Sequence, residues 1–172
     1  MSTNMSQFNP SKYLGKWYEL AHYPSWFQDN DNYNTTATYT LDDGKISVLN
    51  STYSAGRLIE SLGTAHYVGD MSFNVNFSTD EVNKLIAQNQ NIESYVAGGY
   101  NSIDYPNYVI DKLWTNKTGD YMYSIVTDPS KKTFYLLSRT PNPTHREYSI
   151  IMNYVATNFD RKQLVQTPHY KL

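Results

Sequence analysis

The sequence predicts an all-β fold: one eight-stranded antiparallel up-and-down barrel, with a C-terminal α-helix packed outside it and a short strand after the helix. Three observations predict it. Apolar and polar residues alternate in eight short runs, tight-turn signals separate the runs, and one late segment switches to helical spacing. A closed barrel is preferred to an open sheet because closure removes edges that would template aggregation. Eight strands also leave an interior able to hold one small ligand.

The first run covers residues 16–23. In 35–41, Ala37, Tyr39 and Leu41 share one face and threonines take the other. Asp42-Asp43-Gly44 is a hairpin signal leading into 45–53. Residues 57–68 follow, with Gly69-Asp70 as the next tight turn. In 71–77, Phe73, Val75 and Phe77 alternate against Ser72, Asn74 and Asn76. The last three runs are 107–114, 121–127 and 133–139. Asp128-Pro129-Ser130-Lys131 joins the final pair, with proline at the second turn position. Asn142-Pro143 predicts a helix start over 143–158, a capping asparagine followed by proline in the first turn. Its stripe, Tyr148, Ile151, Met152, Val155 and Phe159, fits the outside of the barrel, and a terminal strand is expected near 162–168. A weaker helical period over 80–96 predicts a helix inside the long connection 78–106. All 172 residues are read as one domain, with the barrel at about 13–140.

Composition narrows the function. Net charge is −2 with a pI near 6.0 and no basic stripe, which argues against a nucleic-acid partner. There is no cysteine, so disulfides, thiolate metal sites and cysteine nucleophiles are excluded. The polar start, Met1 to Pro10, has no apolar core of a signal peptide, and no apolar run reaches the length of a membrane span. The chain as given therefore reads as cytoplasmic or otherwise soluble, and as secreted or periplasmic if a targeting segment has been removed. The 17 tyrosines suit half-buried strands, where the ring packs and the hydroxyl finds a partner.

Three segments carry a family resemblance. Tyr13-Leu14-Gly15-Lys16-Trp17-Tyr18-Glu19 resembles the first lipocalin signature, a Gly-x-Trp opening the first strand. Phe134-Tyr135-Leu136-Leu137-Ser138-Arg139-Thr140-Pro141 resembles the third, which ends the last strand on an arginine. Gly119-Asp120-Tyr121 is loosely similar to the second, without its usual threonine. Tyr23-Pro24-Ser25-Trp26-Phe27-Gln28, Thr36-Ala37-Thr38-Tyr39-Thr40-Leu41 and Val48-Leu49-Asn50 resemble one branch of that family. It holds bacterial outer-membrane lipocalins, apolipoprotein D and plant temperature-induced lipocalins. The resemblance implies the calycin barrel and the carriage or sequestration of a small hydrophobic ligand. It further implies a role in membrane lipid maintenance or protection from lipid oxidation, under stress. The cysteine-free plant type is the nearer analogue, since neither a lipid-anchoring cysteine nor disulfide cysteines are present.

Strand parity places Trp17 and Arg139 together at the closed end, where with Gly15 they form a structural plug. A guanidinium over an indole contributes roughly 0.5–2 kcal/mol. The long loops 24–34 and 78–106 then share the open mouth, and the second is a lid, a dimer contact or an inert insertion. Alternation turns Ala21, Tyr23, Ala37, Tyr39, Tyr67, Phe73, Val75, Phe77, Tyr108, Ile110, Val126, Tyr135 and Leu137 inward as candidate ligand contacts, unless a one-residue bulge inverts a strand. Such a wall suits a fatty acid, lysophospholipid, sterol or isoprenoid. No cofactor is implied, and His22, His66, His145 and His169 have no metal-ligand spacing. No nucleophile elbow or phosphate-binding glycine loop is present. The chain is therefore read as a binding protein rather than an enzyme, a monomer or homodimer compatible with peripheral membrane contact. Two alternatives stand beside it. One is an enzyme on an oxidised or epoxidised lipid, for which Glu19 is the carboxylate that parity turns inward. The other is a protein-interaction module with a filled barrel.

Overall fold

The computed structural model describes residues 7–25, 28–77 and 106–172. Its eight barrel strands are β1 (Gly15–His22), β2 (Tyr33–Asp42), β3 (Lys45–Ser54), β4 (Arg57–Gly69), β5 (Ser72–Phe77), β6 (Tyr108–Thr115), β7 (Tyr121–Thr127) and β8 (Tyr135–Ser138). Each pairs antiparallel with the next in the chain, and β1 pairs with both β2 and β8, which closes the barrel. A single-turn helix, α1 (Pro10–Tyr13), precedes β1; α2 (His145–Asn158), a 3₁₀ turn (Arg161–Gln163) and β9 (Val165–Gln166) follow β8. The expected helix at 80–96, and the lid or dimer contact it would form, lie outside the described residues.

The hairpins follow turn chemistry. Asp43 and Gly44 both have positive φ, 51° and 76°, the mirror-image turn whose twist matches the flanking strands. At the β4–β5 hairpin the positive-φ pair is Asp70 and Met71, so Gly69 ends β4 and β5 begins at Ser72, one residue later than expected. The β5–β6 pairing has two backbone register pairs, and a side chain extends it. Asn107 accepts from Val75 N and donates to Val75 O, both at 2.8 Å, in place of a further ladder pair.

Helix α2 starts two residues after the expected Asn142-Pro143. Thr144 is the cap: its hydroxyl accepts from Glu147 N at 3.2 Å and donates to Glu147 Oε1 at 3.1 Å, a two-way contact that favours it over the earlier asparagine. Ile151, Met152 and Val155 are buried, and Tyr148 and Phe159 pack beside them, so the predicted stripe is the packed stripe.

Two cores result. One fills part of the barrel, around Trp17, Tyr39, Phe73, Ile110, Val126 and Leu137. The other lies between α2 and the outer face of the barrel, around Leu20, Trp114, Tyr123, Ile125, Phe134 and Leu136. Ile151 is fully buried in the second core. Ile151→Ala should destabilise the chain by about 3 kcal/mol, read as a lower urea midpoint at unchanged slope.

Ala21 and Tyr23 belong to this outer core and not to the barrel lumen. The cause is a bulge in β1: Glu19 lies opposite Leu137, but Ala21 lies opposite Leu136, so one residue on β1 has no counterpart on β8. Past Leu20 the facing of β1 inverts, and His22, opposite Tyr135, takes the inward row. Beyond Tyr18 and Thr36, β1 and β2 part, and the C-terminal segment fills the fork. Thr167 N donates to Leu20 O at 3.0 Å, and Asn34 N donates to Pro168 O at 2.9 Å. No helix among the described residues is long and apolar enough to cross a membrane.

Candidate functional site

The closed end is built on one arginine. The Arg139 guanidinium lies 3.8 Å from the centroid of the Trp17 ring, the neighbours that parity predicts. It also donates to four backbone carbonyls: Lys16 O at 2.9 Å, Leu14 O at 2.8 Å, Lys12 O at 3.0 Å and Tyr121 O at 3.3 Å. Gly15 makes this approach practicable. Its φ is +100°, and a Cβ there would sit 3.3 Å from the guanidinium. Trp17 is fully buried and donates Nε1 to Tyr13 O at 2.9 Å, so β1, β7, β8 and α1 are tied at one point.

Above this plug lies a floor that alternation alone did not reveal. α1 inserts Tyr13 into the barrel, where it is 2% exposed. Its hydroxyl meets Tyr108 at 2.7 Å and Ser124 at 2.8 Å, and Tyr108 meets Tyr39 at 2.8 Å. Phe8 stacks on Tyr121 and touches Phe73 and Tyr67. Burial pushes the Tyr13 phenol up to about 12 and raises Tyr39 and Tyr108 as well. The space left among Tyr13, Tyr39, Ala65, Phe73, Val75 and Tyr108 is about 10 Å³. That is room for one water at most. The lower barrel is therefore packed.

The upper lumen differs. Ala37, Val75, Phe77 and Tyr135 sit on inward rows, paired with Trp17, Ala65, Gly63 and Val126, yet each is only half-buried. Ala37, Val75 and Tyr135 pack against the barrel core, and Val75 also lines the small space over Tyr13. Phe77 lies over Gly63, where a Cβ would come within 2.9 Å of its ring. Of the other inward positions, Tyr39, Phe73, Ile110, Val126 and Leu137 are buried in the barrel core, Tyr108 is half-buried at the boundary, and Tyr67 is 42% exposed at the closed-end rim. Ala21 and Tyr23 are the expected positions that lie outside the lumen, in the core beneath α2.

Polar groups complete the upper wall. Glu19 is 4% exposed on the inward row; its Oε2 accepts from Gln28 Nε2 at 2.9 Å and from Thr167 Oγ1 at 2.5 Å. Burial raises its pKa, and the nearby His22 opposes the shift. His22 is 1% exposed, and its Nδ1 meets Tyr23 O at 2.8 Å. Sequence reasoning missed Ser124, though it stands two residues before Val126 on the same row. It missed His22 because the bulge carries no sequence mark. Among the described residues no three histidine or acidic side chains gather to hold a metal.

A lipocalin-like domain model matches residues 8–169. Temperature-induced lipocalin-1 of Arabidopsis thaliana is 31% identical over 166 residues, covering 93% of this chain and 78% of its own. The outer membrane lipoprotein Blc of Vibrio cholerae is 32% identical over 139 residues, covering 80% of this chain and 68% of its own. Among solved structures, the cockroach allergen Per a 4 superposes with a TM-score of 0.65 at 17% identity, covering 99% of this chain and 94% of that one. Lobster apocrustacyanin A1 does so with a TM-score of 0.61 at 16% identity, covering 95% and 81%. These two structures speak for the fold alone.

Proposed function

Because the chain belongs to the lipocalin family, whose members bind small hydrophobic ligands, we propose that it carries or sequesters one lipid-like molecule in the upper half of its barrel. One observation carries this reading: Phe77 and Tyr135 stand half-buried on the inward rows beyond the packed tyrosine floor. Such a wall favours a ligand whose body is apolar, an acyl chain, sterol or isoprenoid, because burying apolar surface contributes about 25 cal/mol per Å². The tyrosine floor limits how deep the ligand reaches. Trp17 and Arg139 stay below it and act on stability. A role in maintaining or protecting membrane lipids belongs to the same proposal and rests on the likeness to the plant and bacterial relatives.

The test is uptake of an apolar fluorophore, N-phenyl-1-naphthylamine, together with mass analysis of lipid extracted from the purified chain. The wild type should bind the fluorophore and release it to a competing lipid. Phe77→Ser, which replaces a half-buried inward ring at the end of β5 with a polar group, should weaken binding about tenfold with little change in melting temperature. A chain that takes up no fluorophore and carries no extractable lipid would instead favour the filled-barrel interaction module.

A further inference from the structure

We propose that Tyr33, Tyr53 and Tyr170 form an oxidative modification site at the open mouth, where a one-electron oxidant joins Tyr33 to Tyr170 through a dityrosine bond. The site does not depend on what the barrel carries. Among the described residues, tyrosine rings touch one another in two places. One is the floor, where Tyr13 meets Tyr39, Tyr108 and Tyr121 inside the packed barrel, out of reach of an oxidant in solvent. The other is the rim set, which is open: Tyr33 and Tyr53 are half-buried, and Tyr170 is 60% exposed.

The rim set is built by the sheet and the C-terminal tail. Tyr33 opens β2, and Tyr53 lies directly opposite it on β3. Their rings stack with centroids 5.5 Å apart and planes 21° apart. Tyr170 meets Tyr33 from the tail beyond β9, at 5.8 Å and 65°. Asn34 clamps the tail there: Tyr170 N donates to Asn34 Oδ1 at 2.7 Å, and Asn34 Nδ2 donates to Tyr170 O at 3.1 Å. The backbone of Tyr170 is held beside Tyr33 while its exposed ring keeps room to turn.

The co-reactant is hydrogen peroxide acting through a haem peroxidase, which takes one electron and one proton from each phenol. The two phenoxyl radicals join by a carbon–carbon bond between the ring positions next to oxygen. Each ring then passes the hydrogen on its bonded carbon to its own oxygen, which restores both phenols. In sum, two phenols and one hydrogen peroxide give one biphenol and two waters. Geometry selects the pair. The biphenol holds its two Cβ atoms farther apart than directly opposite strand residues, whose Cβ atoms lie about 5 Å apart. Tyr33 and Tyr53 therefore cannot couple without parting β2 from β3. Tyr170 stands near the chain end, where a small shift disturbs no paired strand. The bond would lock the C-terminal segment in the fork between β1 and β2, and with it the Thr167 hydrogen bond to Glu19.

The experiment treats the full chain, dilute, with a haem peroxidase and hydrogen peroxide, and separates monomer from larger species. The monomer should gain the blue fluorescence of dityrosine. After trypsin, a new species should join peptide 17–45 to peptide 163–171, two hydrogens lighter than their sum. Tyr33→Phe and Tyr170→Phe should each lower monomer dityrosine at least about tenfold, because coupling depends on proximity in the folded chain. Tyr53→Phe should keep it within about twofold, since that ring is not bonded in the product. A bond mapped to any other pair overturns the assignment, as does dityrosine confined to cross-linked dimers. So does a monomer yield that Tyr33→Phe and Tyr170→Phe leave unchanged, or a wild type that forms none.

Discussion

Arg139→Ala is expected to lower the unfolding free energy by about 3 kcal/mol, the loss of charge-assisted hydrogen bonds together with a cation–π contact. For a chain of 172 residues that corresponds to a fall in melting temperature of roughly 6–12 °C. The size follows from what the side chain joins. Lys12, Leu14 and Lys16 lie in α1 and the start of β1, Tyr121 opens β7, and Trp17 forms the base of the barrel core. Alanine would leave four carbonyls and one indole face without their partner at once. Half-exposure of the guanidinium moderates the effect, since solvent can replace part of what is lost. Arg139→Lys should recover little, because a single ammonium cannot reach several diverging carbonyls and stack on the indole together. In the folded fraction, binding of the apolar fluorophore should change by no more than about twofold, since the buried Tyr13 stands between the plug and the rest of the lumen. A thermal scan that leaves the midpoint in place would refute this assignment, as would a selective loss of binding at full stability.

The order of the strands, the closure at Gly15, Trp17 and Arg139, and the face of α2 were all legible in the sequence. Each depends on a period or a turn that neighbouring residues state locally: two for strands, 3.6 for the helix, and positive-φ pairs such as Asp43-Gly44. What was not legible depends on counting across strands. The bulge at Leu20 leaves the composition of β1 unchanged, yet it sends Ala21 and Tyr23 beneath α2 and turns His22 inward. The helix start shows the same limit on a smaller scale. Asn142 and Thr144 are both good caps, and only Glu147 three residues past the threonine decides between them.

The candidate site was half legible for a related reason. Alternation identifies the wall but not how high a plug rises inside it. Phe8 and Tyr13 precede the first strand and belong to no alternating run, yet they occupy the lower lumen. Their presence fills the lower lumen, and Glu19 stands buried on the inward row of β1. Thr167, remote in sequence, fixes the carboxyl there because the C-terminal segment enters the fork between β1 and β2.

The tyrosine floor leads to a second large effect, a loss of stability in alkali. Tyr13 has its phenol pushed from 10.0 up to about 12 by burial, although hydrogen bonds with Ser124 and Tyr108 partly oppose it. The folded chain thus keeps a proton that the unfolded chain releases above about pH 10. By linkage, the stability this group confers is fully present below pH 10 and is lost as pH rises toward 12. A phenol raised from 10.0 to about 12 contributes about 3 kcal/mol for Tyr13 alone. Tyr39 and Tyr108 are raised in the same direction, so the slope above pH 10 should exceed that of a single group. Urea midpoints measured from about pH 8 to about pH 12 should be flat at first and then fall steeply, with tyrosinate absorbance of the buried set appearing only on unfolding. Tyr108→Phe sharpens the test. It removes the central hydroxyl and leaves Tyr39 without its partner, which should cost about 1–2 kcal/mol at neutral pH. It should also make the alkaline fall shallower, because one of the raised phenols is gone. Midpoints that stay level through pH 11, or phenols that ionise freely in the folded chain, would mean that the floor is open to water and the lower barrel is not packed.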